Sequence, residues 1–426
     1  MITRIKNKFS NQGAFLKGII FLFGGSVVAN ICSYLYHLVI GRQVSVEVYG
    51  EAEAIISLIA IVSVPAMTLV MVAAKYAAGC KADGNQTGSR EIWEYLNKKV
   101  LKFGLPIFLL LIILTPVIGN FLNIERKWFL IFIWISMYLS FFNAINIGLL
   151  NGWQKFKKVS FSNSFMSIVK LISGIGLIWV GLELGGIVGS LLLATIAAYA
   201  FTYVALHINI LKKDPEQKEG HCKKSIDLVA LRKYIIPVFI GNLAIVILGN
   251  VDMVLAKHNL DAISAGQYGA LTIVSKIIFF GTGIIASVLF SISAGHSHKG
   301  DSSLHILKTG LSLVFLGSGV ATIIYFLYPK FILGLLFGSK YTNVAEYLGW
   351  FAISISLYSL VNVLFQYLLS IQKTKITYVL LTISIFMILS IVIFGTQIST
   401  IITIVIVSQL ISLASCGYYL LKKVKI

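Results

Sequence analysis

Apolar segments long enough to cross a lipid bilayer recur along this chain of 426 residues. A helix of about 20 apolar residues spans the roughly 30 Å of hydrocarbon in a membrane. Only 12% of the residues are charged, against about 25% in an ordinary soluble domain. We predict an all-α integral membrane protein with about twelve transmembrane helices. The predicted spans are Phe15–Ile40, Ala52–Ala78, Val100–Leu122, Trp128–Leu150, Val159–Gly181, Ile187–Ile210, Tyr234–Ala256, Ala265–Ser293, Ile306–Tyr328, Tyr347–Ser370, Tyr378–Phe394 and Thr400–Leu420.

A weak internal repeat predicts that these helices form two six-helix pseudo-symmetric bundles. Gly41-Arg42 followed by Tyr49-Gly50 is echoed, about 220 residues later, by Ala256-Lys257 followed by Tyr268-Gly269. Duplicated halves are typical of alternating-access transporters, whose substrate site lies between the halves. We expect an N-terminal half at residues 1–210 and a C-terminal half at residues 234–426. The polar, charge-rich segment 211–233 is predicted to be a cytoplasmic linker loop.

The formal net charge of +19 is mainly a topology signal. Lysine and arginine are concentrated in every second loop, beginning with the N-terminal segment, and the intervening loops hold few of them. The positive-inside rule then predicts that both termini are cytoplasmic. This distribution disfavours a nucleic-acid partner and leaves membrane lipids as the partner for the remaining basic groups.

Two lysines lie deep within predicted spans, where ionisable groups usually face a cavity or a partner. Lys170 shares a polar stripe with Asn163 and Ser167, and Lys276 lies on a similar stripe of the eighth helix. Further candidates for a polar cavity are Asn30, His37 and Asn362. Two alternatives remain open: stripes of small polar residues also serve helix packing, and lysines can extend to the membrane surface.

Asp252 is the main acidic residue within a predicted span, and it has three possible roles. It could form a charge pair with a cavity lysine, bind a coupling proton or sodium ion, or be a hydrated carboxylate at a helix end. Arg42 occupies the place in the first repeat that Lys257 occupies in the second. We therefore add Arg42 to the candidates for substrate contact.

Catalytic and cofactor motifs do not stand out. The sequence has no nucleotide-binding glycine loop and no nucleophile elbow, so we predict a non-enzyme without a cofactor. The four cysteines lack metal-ligand or redox spacing. The loose group His296, His298 and His305 is a weak metal candidate, and we predict no metal site.

Three short motifs resemble those of polysaccharide flippases. They are the segments Gly41–Gly50, Leu149–Phe156 and Gly249–Met253, the last followed by Ala265–Tyr268. Together with two six-helix halves, they make the chain similar to Wzx-type O-antigen flippases. These belong to the multidrug/oligosaccharidyl-lipid/polysaccharide (MOP) superfamily, so the resemblance implies a MATE/MOP-like fold.

The resemblance implies a flippase for undecaprenyl-diphosphate-linked oligosaccharides in lipopolysaccharide or related surface-glycan biosynthesis. The substrate would move from the cytoplasmic to the periplasmic leaflet of the bacterial inner membrane by alternating access. Lys170, Lys276 and Arg42 would contact the diphosphate or an acidic sugar. Polymerase and chain-length proteins of the same pathway are implied as partners.

Two rival functions remain. A MATE-like multidrug exporter shares the twelve-helix plan, but its cavity favours cationic drugs and relies on acidic residues. A polytopic O-antigen polymerase or ligase typically has a large outer loop, whereas the longest polar loop here is predicted to be inside.

Overall fold

The computed structural model describes residues 2–211, 228–299, 304–371 and 373–421. Within these ranges the regular elements are all helices, as the apolar patterning predicts. The α-helices are α1 (Ile2–Gln43), α2 (Val46–Val62), α3 (Val64–Ala82), α4 (Gln86–Lys99), α5 (Leu105–Phe121), α6 (Phe129–Gly152), α7 (Phe156–Trp179), α8 (Glu183–Asn209), α9 (Leu228–Leu248), α10 (Val251–Asn259), α11 (Ala262–Lys299), α12 (Leu304–Leu327), α13 (Pro329–Phe337), α14 (Leu348–Ser370), α15 (Ile376–Phe394) and α16 (Ile398–Leu421). A π-helical segment, Val100–Gly104, joins α4 to α5, and a 3₁₀ segment, Ser339–Tyr347, precedes α14.

The number of membrane-crossing helices agrees with the prediction. Among the described residues, 11 helices are long and apolar enough to cross a bilayer. A twelfth span results if α9 and α10, which meet at a bend of 45°, are one broken span. The prediction of an all-α, multi-pass membrane protein is therefore confirmed.

The chain divides into two compact units. Unit 1 comprises Met1–Ile40, Pro65–Asn120 and Glu125–Leu228, and unit 2 comprises Gly41–Val64, Phe121–Ile124 and Val229–Ile426, each as far as it is described. The second span is shared: its first part, α2, belongs to unit 2, and α3 belongs to unit 1. Most of the predicted linker, residues 212–227, lies outside the described residues.

Small residues allow the helices of unit 1 to pack closely. A Cβ atom added to Gly148 would lie 2.7 Å from the backbone oxygen of Val70, and one added to Gly152 would lie 2.5 Å from that of Ala74. Close backbone approach through glycine is common in membrane bundles, where van der Waals packing drives helix association. The core around this contact also includes Ile145 and Leu149 of α6.

Unit 2 is built around α11 and α14, with α2 packed against α10 and α11. Helix α2 approaches α11 closely at Gly266, where a Cβ atom would collide with the backbone oxygen of Val46. The break between α9 and α10 falls at Gly249 and Asn250. A Cβ atom on Gly249 would lie 2.6 Å from the ring of Tyr358, so glycine lets this aromatic side chain approach the bend.

Candidate functional site

The first polar region lies in unit 1, where α1 packs on α7. Ser160 Oγ donates a hydrogen bond to the backbone oxygen of Phe21 at 2.6 Å, and Ser164 Oγ donates to that of Gly25 at 3.1 Å. A Cβ atom on Gly25 would lie 1.9 Å from Ser160 Oγ. Ser160 and Ser164 therefore serve helix packing, the alternative to a polar cavity that the sequence left open for small polar residues.

Lys170 extends this contact between α1 and α7. Its Nζ donates to Ser33 Oγ at 2.9 Å and lies 4.6 Å from the centroid of the Tyr36 ring. Tyr36 is fully buried, and its hydroxyl is 2.8 Å from Ser190 Oγ. Gly174 leaves room for this ring, since a Cβ atom there would lie 2.6 Å from it. The half-buried ammonium group of Lys170 is thus oriented by a fixed aromatic face.

The other predicted residues of unit 1 lie on the same two helices. His37 packs edge-on against the Tyr36 ring, with 5.5 Å between ring centroids. Asn30, His37 and Ser167 are half-buried, and Asn163 is exposed. The structure therefore joins His37 to Lys170 through Tyr36.

The charge balance of unit 1 differs from that of an ordinary ion-pair site. Helices α1, α3, α5, α6 and α7 contain no aspartate or glutamate, and α8 has only Glu183, at its first residue. The membrane-spanning helices of this unit therefore place no carboxylate beside Lys170. A cation on helices without internal carboxylates suits an anionic ligand.

The second polar region lies at the bend of unit 2. Lys276 Nζ donates to Asn250 Oδ1 at 3.0 Å, and Asn250 Nδ2 donates to the backbone oxygen of Val246 at 2.9 Å. Tyr358 and Gln409 bond two further carbonyl oxygens of α9, those of Ile245 and Leu248. Side chains thus add hydrogen bonds to the carbonyl groups of the last turn of α9, where the helix breaks.

Asp252 lies just beyond the bend and is only 7% exposed. Its Oδ2 accepts a hydrogen bond of 2.7 Å from the Tyr268 hydroxyl. The expectation of a hydrated carboxylate at a helix end is therefore wrong for Asp252, because α11 and α14 cover it. Lys276 bonds to Asn250, two residues before Asp252, so a cation and a buried carboxylate lie in one polar region.

A small cavity of about 10 Å³ adjoins this carboxylate, close to the space that one water molecule needs. Asp252, Thr272, Ser354 and Gln409 contribute polar groups to its lining. Within the described part of the chain, Asp252 Oδ1 and Gln409 Oε1 are buried and have no hydrogen-bond partner. Two unpaired oxygen acceptors at one cavity could hold a proton, a water molecule or a small cation.

Three charged residues near this region were not predicted as site residues. Glu53 of α2 is 2% exposed, and Lys257 of α10 is equally buried, with its Nζ 3.9 Å from Glu51 Oε1. The available signal was the presence of Glu53 within the second apolar run. Their place beside α10 and α11 depends on the fold of α2 against these helices.

The remaining predicted residues lie elsewhere in unit 2. Arg42 is exposed, and its guanidinium donates to the backbone oxygens of Leu335 and Leu336, at 3.0 Å for the latter. It therefore caps the C-terminal end of α13. Asn362 is a half-buried residue of α14. Among the residues with described side chains, which exclude His296 and His298, no group of three His, Cys, Asp or Glu could hold a metal ion.

A family model decides the relationship of this chain to known proteins. The model described as "Polysaccharide biosynthesis protein" matches residues 15–290, which is more than half of the chain. The chain belongs to this family. No curated protein matches in a search by sequence.

Comparison with solved structures shows which fold this chain has. An inward-facing multidrug resistance MATE family transporter of the MOP superfamily superposes with a TM-score of 0.70 at 13% identity, covering 94% of this chain and 100% of that one. The lipid II flippase MurJ, in an inward closed conformation, gives a TM-score of 0.68 at 18% identity, covering 95% and 87%. The eukaryotic MATE transporter AtDTX14 gives 0.65 at 11% identity, covering 96% of both chains.

At these identities the likeness shows the fold alone. The fold is that of the MATE transporters and the lipid II flippase to which the chain is similar, as the resemblance in sequence implied.

Proposed function

We propose that this family member is a flippase for lipid-linked oligosaccharides. It would move an undecaprenyl-diphosphate-linked repeat unit from the cytoplasmic to the periplasmic leaflet of a bacterial inner membrane, by alternating access. The family match and the MOP fold support a transporter in polysaccharide biosynthesis. The observation that carries the choice of substrate is Lys170, a half-buried cation in a unit whose spanning helices lack internal carboxylates.

The chemistry of such a substrate matches this cation. A diphosphate and a glycan are both strongly hydrated, so neither crosses hydrocarbon without polar partners. A lysine ammonium group serves phosphate as a point charge with three donors. In this proposal Lys170 exchanges its bond to Ser33 for a phosphate oxygen. Asn30, Asn163 and Ser167 would offer hydroxyl and amide groups to sugars.

Unit 2 would supply the coupling to an ion gradient. Asp252 would take up a proton or a small cation at the cavity that it shares with Gln409, because one oxygen of each side chain is unpaired there. Lys276, which lies near the same carboxylate, would respond to this change of charge. It could then contact the diphosphate in one state and Asp252 in the other.

The pathway partners follow from this substrate. A flipped repeat unit requires an enzyme that polymerises it and a protein that sets chain length, as in O-antigen and lipopolysaccharide biosynthesis. These partners and the inner-membrane location with cytoplasmic termini belong to the proposal.

A MATE-like drug exporter is the second candidate, favoured by the buried acidic residues Asp252 and Glu53. Acidic groups within the membrane suit a cationic drug. The two candidates differ in the charge of the transported molecule. The cation of Lys170 favours an anionic lipid-linked substrate over a cationic drug.

Deletion of the gene separates the candidates. The flippase proposal predicts loss of surface glycan and accumulation of complete lipid-linked repeat units on the cytoplasmic leaflet. Normal surface glycan together with increased sensitivity to cationic drugs would support the exporter instead. The chain with Lys158→Ala, which alters an exposed lysine of α7, is a matched control for complementation.

A further inference from the structure

A single helical rod crosses the boundary between water and hydrocarbon in unit 1. Helix α4, the π-helical segment and α5 run continuously over Gln86–Phe121, 36 residues. At 1.5 Å per residue such a rod is about 54 Å long, well beyond the roughly 30 Å of hydrocarbon. Helix α4 carries five charged residues and α5 carries none. The π-helical segment Val100–Gly104 therefore lies at the membrane surface.

One face of α4 is fixed to the body of unit 1. Trp93 Nε1 donates to Asn146 Oδ1 at 2.9 Å, and Trp153 Nε1 donates to Ser89 Oγ at 2.9 Å. Ile92 is buried in the same core as α6. Two tryptophan bonds and this apolar contact hold the helix in one rotation about its axis. The exposed residues beside this face are thereby held in a defined orientation.

Beside the buried face lies a compact group of exposed cations and rings, which we call the basic-aromatic cluster: Tyr95, Lys99, Lys102 and Phe103. Lys99 Nζ lies 5.3 Å from the Tyr95 ring centroid and 5.5 Å from that of Phe103, while Lys102 Nζ lies 5.9 Å from the Phe103 centroid. These distances are within the range of cation–π attraction. The rings are 42% and 58% exposed, respectively.

The charges of the cluster are available to a ligand. Of the acidic residues on α4, Glu94 pairs with Arg90, whose Nε lies 3.2 Å from Glu94 Oε1. Across the part of the chain that the structure describes, neither Lys99 nor Lys102 lies within salt-bridge distance of a carboxylate. Two ammonium groups thus lie close to one ring, that of Phe103, in the segment between the charged and the apolar part of the rod.

The surface on the membrane side of the cluster is apolar. Leu105 and Ile107 are exposed there, and Leu101 lies beside the lysines. An anionic phospholipid combines the two properties required: a negative phosphodiester for the ammonium groups and acyl chains for the apolar surface. Aromatic side chains favour the same interfacial depth.

We propose that the basic-aromatic cluster is a binding site for the headgroup of an anionic phospholipid. Lys99 and Lys102 would bind the phosphodiester from either side of the Phe103 ring, and the acyl chains would lie along α5. The site is independent of the proposed transport of a lipid-linked glycan. It would fix the depth of this rod in the membrane.

The test measures lipid binding by the purified full-length protein in detergent micelles. Native mass spectrometry would follow titrations with phosphatidylglycerol and, separately, with phosphatidylcholine. Since a surface lysine contributes about 1 kcal/mol to attraction by anionic lipid, Lys99→Ala and Lys102→Ala should each weaken phosphatidylglycerol binding roughly fivefold. Binding of zwitterionic phosphatidylcholine should not change.

Lys98→Ala is the matched control, because it removes the same charge from the neighbouring, exposed position of α4 outside the cluster. We expect less than a twofold effect from it. The Lys99→Gln and Lys102→Gln variants repeat the test with polar side chains that disturb the fold less. Equal losses for Lys98 and Lys99 would overturn the proposal, since binding would then follow overall charge. Equal affinity of the wild type for the two lipids would overturn it as well.

Discussion

Two half-buried lysines of this protein, Lys170 and Lys276, look alike in sequence but have different surroundings. Lys170 of unit 1 is held by the Ser33 hydroxyl and the Tyr36 ring, in helices that lack internal carboxylates. Lys276 of unit 2 bonds to Asn250, at the bend that also carries Asp252. The first cation lies among helices without internal acids, whereas the second lies in a region with a buried carboxylate.

This difference indicates a division of labour. A cation on helices without internal carboxylates is suited to bind an anionic substrate. A cation within a network with carboxylates is suited to respond when one of these acids gains a proton or a metal cation. We therefore assign substrate contact mainly to Lys170 and ion coupling mainly to the region of Asp252.

The largest expected effect comes from removing the cation of unit 1. A hydrogen bond to a charged group contributes about 1.5–3 kcal/mol, so Lys170→Ala should reduce glycan export roughly 10- to 150-fold. Surface glycan in a complemented deletion strain measures this. Lys170→Arg, which keeps the charge, should retain part of the export. Full export by Lys170→Ala would show that glycan transport does not need this cation.

The next effect concerns coupling in unit 2. Asp252→Asn keeps the size of the side chain but removes the charge that would bind a proton or a cation. Transport in proteoliposomes should then lose its response to an imposed proton or sodium gradient. A variant that still responds like the wild type would reduce Asp252 to a structural partner of Tyr268.

The stabilities of two lysine variants should change by different amounts. Lys276→Met leaves the Asn250 oxygen without its donor, which costs about 1–3 kcal/mol of unfolding free energy. Lys170→Met loses the Ser33 bond and the Tyr36 contact but also removes a charge from helices without internal carboxylates, so its cost should be smaller. Thermal unfolding in detergent measures both. Equal losses for the two variants would show that their surroundings are equivalent.

The smallest effect concerns the starts of the helices that carry the two lysines. Helix α7 begins at Phe156, and the side chain of its N-cap residue, Lys155, makes no capping hydrogen bond. Helix α11 is capped by Asp261, whose Oδ1 accepts from the backbone N–H groups of Ile263 and Ser264 at 3.1 and 3.0 Å. Asp261→Ala should therefore destabilise unit 2 by about 1 kcal/mol at neutral pH.

The pH dependence of this effect has a defined sign. The hydrogen bonds from Ser264, and then that from Ile263, hold the pKa of Asp261 below its usual value. The stabilisation is then complete above the pKa of the unfolded chain and is lost as the pH falls through the lowered pKa. Unfolding of wild type and Asp261→Ala at neutral and strongly acidic pH checks this. A difference that grows in acid would contradict it.

The fold could be predicted from the sequence because each span is long and uniformly apolar. Glu53 could also have been predicted as a site residue, because it is an acidic residue within the second apolar run. Two features of the helices were not predicted. The second span begins at Val46, before its acidic residues, and the third extends back to Gln86 through the π-helical segment.

The partners of the site residues could not be predicted in the same way. Lys170 and Ser33 are separated by 137 positions, and periodicity within one helix does not determine which helix lies opposite. Arg42 shows the same limit: its guanidinium caps α13, which is distant in sequence. Gly249 at the bend lies against the Tyr358 ring of another helix, a contact that the sequence around Gly249 does not reveal.

The most direct test of the account is the binding of undecaprenyl diphosphate to the purified protein. We predict that Lys170→Gln weakens this binding at least tenfold, because the ammonium group is the counter-charge of the diphosphate. The same variant should bind uncharged undecaprenol as the wild type does. Unchanged binding of the diphosphate, or an equal loss for both lipids, would contradict the assignment of Lys170 to the anionic group.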